Sequence, residues 1–257
     1  MPDLTYYWTV VSFLLGAVIG SFLNVVIYRL PRAESLVRPG SHCPNCGAGI
    51  AWYDNVPMVS WLILGGRCRH CRGSISLRYP GVESLTAVVF ALSYWRLGLS
   101  WSLLVAWVFL GAVLVSAFIE YDHSLLPGRV VWPLAAVGFT MSVAVDPGQW
   151  WAKIVGAVGV AGLTAAIWRL AWRRGRVSAT ARIGGLKMAV LIGAVLGLAG
   201  YLAVAVAMAL GLGFLGYLAL RKTSPSSMVI GFTPFLSGGA VVALLTGEYL
   251  LKGYWSF

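Results

Sequence analysis

All four cysteines of the chain fall in one stretch and one pattern: Cys43-Pro-Asn-Cys46, twenty-one intervening residues, then Cys68-Arg-His-Cys71. Paired Cys-x-x-Cys knuckles at such a separation fit a zinc ribbon, in which four thiolates close a tetrahedral site and leave no open position for catalysis. The nearby Arg67, Arg69, Arg72 and Arg78 favour the thiolate form that a metal needs. His42 and His70 flank the knuckles and read as solvent-facing or supporting groups rather than ligands. The bland alternative is four incidental or buried thiols.

Acids are scarce, eight Asp and Glu against nineteen Lys and Arg, so each one inside an apolar run is a candidate for chemistry. Glu120 and Asp122 stand two residues apart near the end of such a run, followed by His123. Two carboxylates that share a proton can split general base and general acid roles between them. Positions i and i+2 of a helix do not face each other, however, so Glu120 and Asp122 form a dyad only if the helix has ended there. The bland reading of Asp122 and His123 is a polar helix end at a membrane surface. Asn24 reads as a polar group lining a site or bonding another helix. Glu83 reads as a buried functional acid or an interfacial partner of Arg78. Lys187 reads as a phosphate-binding group or a marker of the inner membrane edge.

The elements that hold these residues are set by composition. Of 257 residues 59% are hydrophobic and only 11% charged, with a mean hydropathy of +0.82. A soluble domain carries about 25% charged residues, so this chain is expected to be an all-α polytopic membrane protein. Apolar runs long enough to cross a bilayer read at about 8–28, 81–97, 101–119, 130–146, 150–170, 185–201, 203–220 and 228–250. That is about eight spans, the long run after Leu186 being divided near Gly200. Trp8–Tyr28 lacks the basic n-region of a signal peptide and is kept as a span.

The net charge of +11 does not indicate nucleic-acid binding, because the basic residues punctuate apolar runs instead of forming a tail or face. With the N-terminus outside, sixteen of the nineteen Lys and Arg fall on the cytoplasmic side, leaving Arg96, Lys153 and Lys252 outside. This bias predicts an N-out, C-out topology. The predicted organisation is a first transmembrane helix (1–29), a small cytoplasmic zinc-ribbon-like insert carrying the four cysteines (30–80) and a transmembrane helix bundle (81–257). An insert of that size cannot hold itself together by core burial alone, which suits a structural metal. The reducing cytoplasm argues against disulfides.

Several segments, in this order, resemble the type IV prepilin leader peptidase/N-methyltransferase family. They are Gly20-Ser-Phe-Leu-Asn-Val-Val-Ile-Tyr-Arg-Leu-Pro31, the two knuckles with Asp54-Asn-Val-Pro-Met-Val-Ser-Trp-Leu-Ile-Leu-Gly-Gly66 between them, and Arg78-Tyr-Pro-Gly-Val-Glu83. Glu120-Tyr-Asp-His-Ser-Leu-Leu-Pro127, Gly184-Gly-Leu-Lys187 and Gly231-Phe-Thr-Pro-Phe-Leu236 follow. The resemblance implies a membrane aspartic endopeptidase of the bacterial inner membrane, its active site facing the cytoplasm. Such an enzyme cuts the leader from prepilins or type II secretion pseudopilins after a glycine. It then methylates the new N-terminus with S-adenosylmethionine. Gly66 matches a glycine that the family links with methyl transfer.

The resemblance also exposes two departures. The family's first catalytic aspartate lies seven residues before the Pro of Leu-Pro, where this chain has Glu120. The second lies in a Gly-Asp-x-Lys turn, where this chain has Gly185. Glutamate moves the carboxylate by about a bond length, and misplacement near 1 Å costs on the order of 100-fold in rate. Glycine leaves nothing to ionise. Three readings follow. The first is a working peptidase and methyltransferase using Glu120 with Asp122. The second is a family member, natural or deliberately altered, that binds prepilin or only methylates. The third is a zinc-binding membrane scaffold.

Overall fold

The computed structural model describes residues 2–123, 126–172, 179–220 and 232–250. Arg173, Arg174, Arg176, Arg221, Lys222 and Lys252, which contribute to the expected orientation, lie outside the described residues, as do Ser124, Leu125 and Gly231 of the quoted motifs. The described chain is helical, with only two isolated β-bridges, His42 with Gly49 and Arg67 with Ser74. It divides into two compact units, Met1–Leu99 and Ser100–Phe257.

In the first unit a long helix, α1 (Pro2–Arg29), packs against α3 (Arg78–Leu97). The close approach is made by Gly16 and Gly20, whose missing β-carbons would sit 2.8 Å from the Cα atoms of Ala87 and Glu83 respectively. Small residues one turn apart allow such backbone contact, which is how apolar helices associate when no hydrophobic drive separates them from lipid. The segment between α1 and α3 is irregular, with 3-10 turns at Leu30–Arg32 and Trp52–Asn55 and a short helix, α2 (Val59–Ile63). Helix α3 ends at Gly98, in the left-handed region (φ 60°), whose N–H closes on the Tyr94 carbonyl.

The second unit is a bundle of α4 (Trp101–His123), α5 (Gly128–Val145), α6 (Trp150–Trp172), α7 (Ala179–Leu196), α8 (Gly200–Leu220) and α9 (Thr233–Leu250). Helix α4 is buried along most of its length, and α5 begins where Pro127 presets the backbone at φ −64°. The long apolar run is broken at Gly197–Ala199, where Gly197 adopts φ 57°, a few residues before the expected division near Gly200. The position a β-carbon would take on Gly200 lies 3.3 Å from the Cα of Gly193. Seven residues of unbroken helix would separate them by roughly 10 Å, so the chain folds back and α7 and α8 form a hairpin. Lys153 is buried beside this turn and donates to the Val195 carbonyl at 2.9 Å, satisfying one of the acceptors a helix end leaves open.

Five described stretches are long and apolar enough to cross a membrane: Leu4–Arg32, Trp101–His123, Gly128–Val145, Pro147–Arg169 and Ile183–Phe214, the last covering both arms of the hairpin. Exposed Trp95, Trp101, Trp150 and Trp151 stand at helix ends, where aromatic rings anchor spans at the bilayer interface. The chain is an all-α polytopic membrane protein.

Candidate functional site

The first constellation lies in the insert of the first unit. The sulfurs of Cys43, Cys46, Cys68 and Cys71 all fall within 4.8 Å of one another, with Cys43 and Cys71 at 3.9 Å. A tetrahedral zinc with bonds of about 2.3 Å needs sulfurs about 3.8 Å apart, so the donor set fits a metal. Two similar turns bring the thiols together. Cys43 N–H bonds to the Ala48 carbonyl at 2.9 Å and Cys68 N–H to that of Gly73 at 2.8 Å. The residue after each second cysteine, Gly47 or Arg72, takes a left-handed backbone (φ 71° and 59°). These turns aim N–H groups at sulfur. Those of Cys46 and Asn45 hold the Cys43 thiol down at about 7, and those of Cys71 and His70 lower Cys68. Cys46 is pushed up to about 11, because desolvation and the neighbouring sulfurs outweigh the Ala48 N–H that favours its thiolate. Ionising one sulfur makes the next harder to ionise, and a divalent cation at their centre reverses that.

Gly66 closes the second knuckle. It adopts φ 66°, and a β-carbon there would meet the Trp61 ring at 2.7 Å. Its carbonyl accepts from Ile75 N–H at 2.7 Å, while the Trp61 indole N–H donates to the Ile75 carbonyl at 3.0 Å. The insert is tied together by Asp54 and Arg69, a bidentate pair at 2.6 and 2.7 Å. The guanidinium beside Asp54 holds its carboxyl below the usual carboxylate range. Glu83, buried in the first turns of α3, accepts the N–H of Met58 at 2.7 Å and so holds a non-glycine residue at φ 60°. Asn24, also buried, donates to the Tyr79 carbonyl at 3.1 Å, and its Oδ1 has no partner.

The second constellation lies in the bundle. Glu120, 2% exposed near the end of α4, accepts a hydrogen bond from the hydroxyl of Thr233 at the start of α9, and its other oxygen has no partner. The backbone of α7 lies against it at Gly184, where any β-carbon would overlap the carboxylate. Gly185 turns elsewhere. A β-carbon there would lie 3.2–3.3 Å from the indole of Trp168, which is buried, packs edge-on to Phe232 and has an unpartnered ring N–H. Lys187 donates to the Leu126 carbonyl at 2.8 Å, holding the α4–α5 connection.

Glu120 and Asp122 are not brought together. Helix α4 continues to His123, so Asp122 lies on its exposed side while Glu120 points into the bundle. The remaining acids of this unit are Asp146, just past the end of α5, and Glu248, near the end of α9. At 1.5 Å per residue both lie roughly 22–27 Å along their helices from the level of Glu120. Among the described residues no second carboxylate is hydrogen-bonded to Glu120. The sequence had singled out Glu120, Gly185 and Lys187 but not Thr233 or Trp168. Thr233 stood inside a quoted motif without a role, and Trp168 was one apolar residue among many.

A helical membrane bundle with a four-cysteine insert defines a class of integral membrane protein, and relatives make it specific. The family model described as "Bacterial Peptidase A24 N-terminal domain" matches residues 14–97. A prepilin leader peptidase/N-methyltransferase of Pseudomonas aeruginosa is 32% identical over 280 residues, covering 96% of this chain and 93% of the relative. One from Myxococcus xanthus is 44% identical over 141 residues, 54% of this chain and 42% of that one. One from Neisseria gonorrhoeae is 35% identical over 153 residues, covering 50% and 54% respectively. No solved structure matches. The chain belongs to the prepilin leader peptidase/N-methyltransferase family.

Proposed function

We propose that this chain is an inner-membrane member of the family that binds prepilin or pseudopilin and N-methylates it with S-adenosylmethionine, but does not cleave the leader. One observation carries this reading: Glu120, the one carboxylate buried in the bundle among the described residues, has a threonine hydroxyl for a partner. Aspartic proteolysis needs a second carboxylate to pass the proton between water and the scissile carbonyl. Residue 185 offers no side chain, and Asp122 faces away. Cleavage through Glu120 with Asp122 requires a helix end that α4 does not have at that point.

The insert supports the methylating half of the reading. Its four thiols are spaced for a structural zinc, which would supply a fixed charge that organises the loop and no reaction step. Gly66, Asn24 and Glu83 shape the surroundings of the insert, and Lys187 supports the bundle site. On this reading 1–29 is the first span, 30–80 the methyltransferase-associated insert and 81–257 the peptidase-like bundle. The spans number eight, with both termini outside and the site facing the cytoplasm, where substrate leaders are exposed. The zinc scaffold without chemistry is disfavoured by the relatives, which cover nearly the whole chain and are named for peptidase and N-methyltransferase activity.

The test is methyl transfer to a leaderless pilin by the purified full chain. Gain of one methyl group at the pilin N-terminus is expected. A leaderless pilin that stays unmethylated while zinc is present in stoichiometric amount would overturn the methylating role.

A further inference from the structure

In the first unit Val18, Ser21, Phe22, Val25 and Arg29 form a stripe along α1, their 3–4 residue spacing putting them on one helix face. From Val18 to Arg29 the helix rises about 16 Å, close to the depth of one leaflet in a hydrocarbon core about 30 Å thick. Exposure falls along the stripe: Val18 is 57% and Phe22 49% exposed, Arg29 only 6%. The open end lies inside the apolar stretch Leu4–Arg32, so its surroundings are acyl chains. At the other end the stripe meets the loop through Pro39, Gly40 and Ser41, with Asn55 beside it, across a cavity of about 400 Å³. Tyr28, next to Arg29, is exposed and carries the Arg32 guanidinium 4.0 Å over its ring. An aromatic ring and a basic group together suit the bilayer interface. The stripe therefore begins in hydrocarbon and ends at headgroup level.

Arg29 gives the closed end its chemistry. Its guanidinium donates to the carbonyls of Ser35 at 3.0 Å and Gly40 at 3.1 Å. Two of its five N–H donors are used in this way, and among the described residues no carboxylate pairs with it. A buried cation held only by neutral carbonyls is costly unless an anion joins it. Carboxylates and phosphates both fit a guanidinium through two parallel N–H bonds, and the lipid-facing wall decides between them, since a bilayer supplies phosphate. Arg32 and Arg38, both exposed, flank the loop in sequence against the single acid Glu34, and basic groups clustered at the end of a span favour anionic headgroups. Ser41 and Asn55 line the same cavity and offer partners to headgroup hydroxyls.

We propose that this cavity binds one anionic phospholipid, its phosphate on Arg29, its headgroup hydroxyls towards Ser41 and Asn55, and an acyl chain along Phe22 and Val18. The lipid belongs to the leaflet at the Arg29 end of α1. The inference is independent of the peptidase and methylating readings above. The loop that Arg29 holds runs on through Ser41 to Cys43, so the lipid fastens the first knuckle to the membrane surface.

The test is intact-complex mass spectrometry of the full chain, delipidated in detergent and titrated with phosphatidylglycerol or with phosphatidylcholine of the same acyl chains. One phosphatidylglycerol per chain is expected, bound at least roughly tenfold more tightly than phosphatidylcholine, as a charge-assisted contact requires. Arg29→Gln removes the anchor but also frees the Ser35 and Gly40 carbonyls. Val25→Trp, which fills the cavity from α1 and leaves those hydrogen bonds in place, is therefore measured beside it. Both variants are expected to lose the preference while the helical circular-dichroism signal stays unchanged. Equal binding of the two lipids by the native chain overturns the proposal, and so does a native preference retained in Val25→Trp. Glycerol 3-phosphate bound by the native chain as tightly as the lipid also overturns it, by making the cavity a site for free phosphate esters.

Discussion

At Glu120 the chain buries a carboxyl group that is hydrogen-bonded to Thr233 and leaves its second oxygen unpartnered. A buried acceptor without its donor costs about 1–3 kcal/mol. Thr233→Val is therefore expected to lower stability by about that amount, read as a drop in unfolding temperature in detergent. Combining it with Glu120→Leu should recover most of the loss, because replacing both partners of a buried polar pair by apolar groups is nearly neutral. A double variant as unstable as Thr233→Val alone would mean the pair does not account for the cost. Restoration is the converse experiment. Glu120→Asp with Gly185→Asp places acids at the two positions that the resemblance implies, but the new β-carbon at 185 would press on the Trp168 ring at 3.2 Å. Overpacking of that kind costs about 1–3 kcal/mol. Cleavage of prepilin is expected to appear more strongly when Trp168→Leu is added, by roughly tenfold given the sensitivity of catalysis to sub-ångström placement. Triple and double variants that are both inert, though folded, would contradict the assignment of these positions.

The insert is the element whose stability depends on something other than a core. Removal of zinc by a chelator, or Cys43→Ser, is expected to abolish metal content and methyl transfer while the helical circular-dichroism signal remains. Loss of helicity in step with the metal would contradict the separation. Gly66→Ala should damage the same element, since it adds a left-handed backbone cost of about 1–2 kcal/mol to a clash with Trp61. The Asp54–Arg69 pair adds a pH dependence of its own to the insert. Asp54 has its folded pKa depressed by Arg69, so what the pair contributes is present above the unfolded value and lost as pH falls through the folded one. The insert should therefore not weaken through this pair between neutral pH and about pH 5. A loss of metal-loaded insert within that window that Asp54→Asn abolishes would contradict the sign.

Across the whole molecule, what the sequence revealed and what it concealed divide by range. The knuckles were legible because metal ligation is written in local spacing, and the helices because apolar runs of this length have few other fates. The left-handed turn at Gly197 fell close to its expected place, since a run from Leu186 to Leu220 is too long for one span. Thr233 was not legible as the partner of Glu120, because 113 residues separate them and no local pattern joins a hydroxyl to a distant acid. Trp168 over Gly185 was equally hidden: a tryptophan in a span looks the same whether it faces lipid or fills a vacated site. Asp122 shows the reverse error. Proximity in sequence made it a candidate, and the continuity of α4 removed it. The measurement that bears most directly on the whole reading is the intact mass of a prepilin after prolonged incubation with the full chain and S-adenosylmethionine. The leader is expected to remain attached. Loss of the leader mass that depends on Glu120 would contradict the proposal of a disabled peptidase.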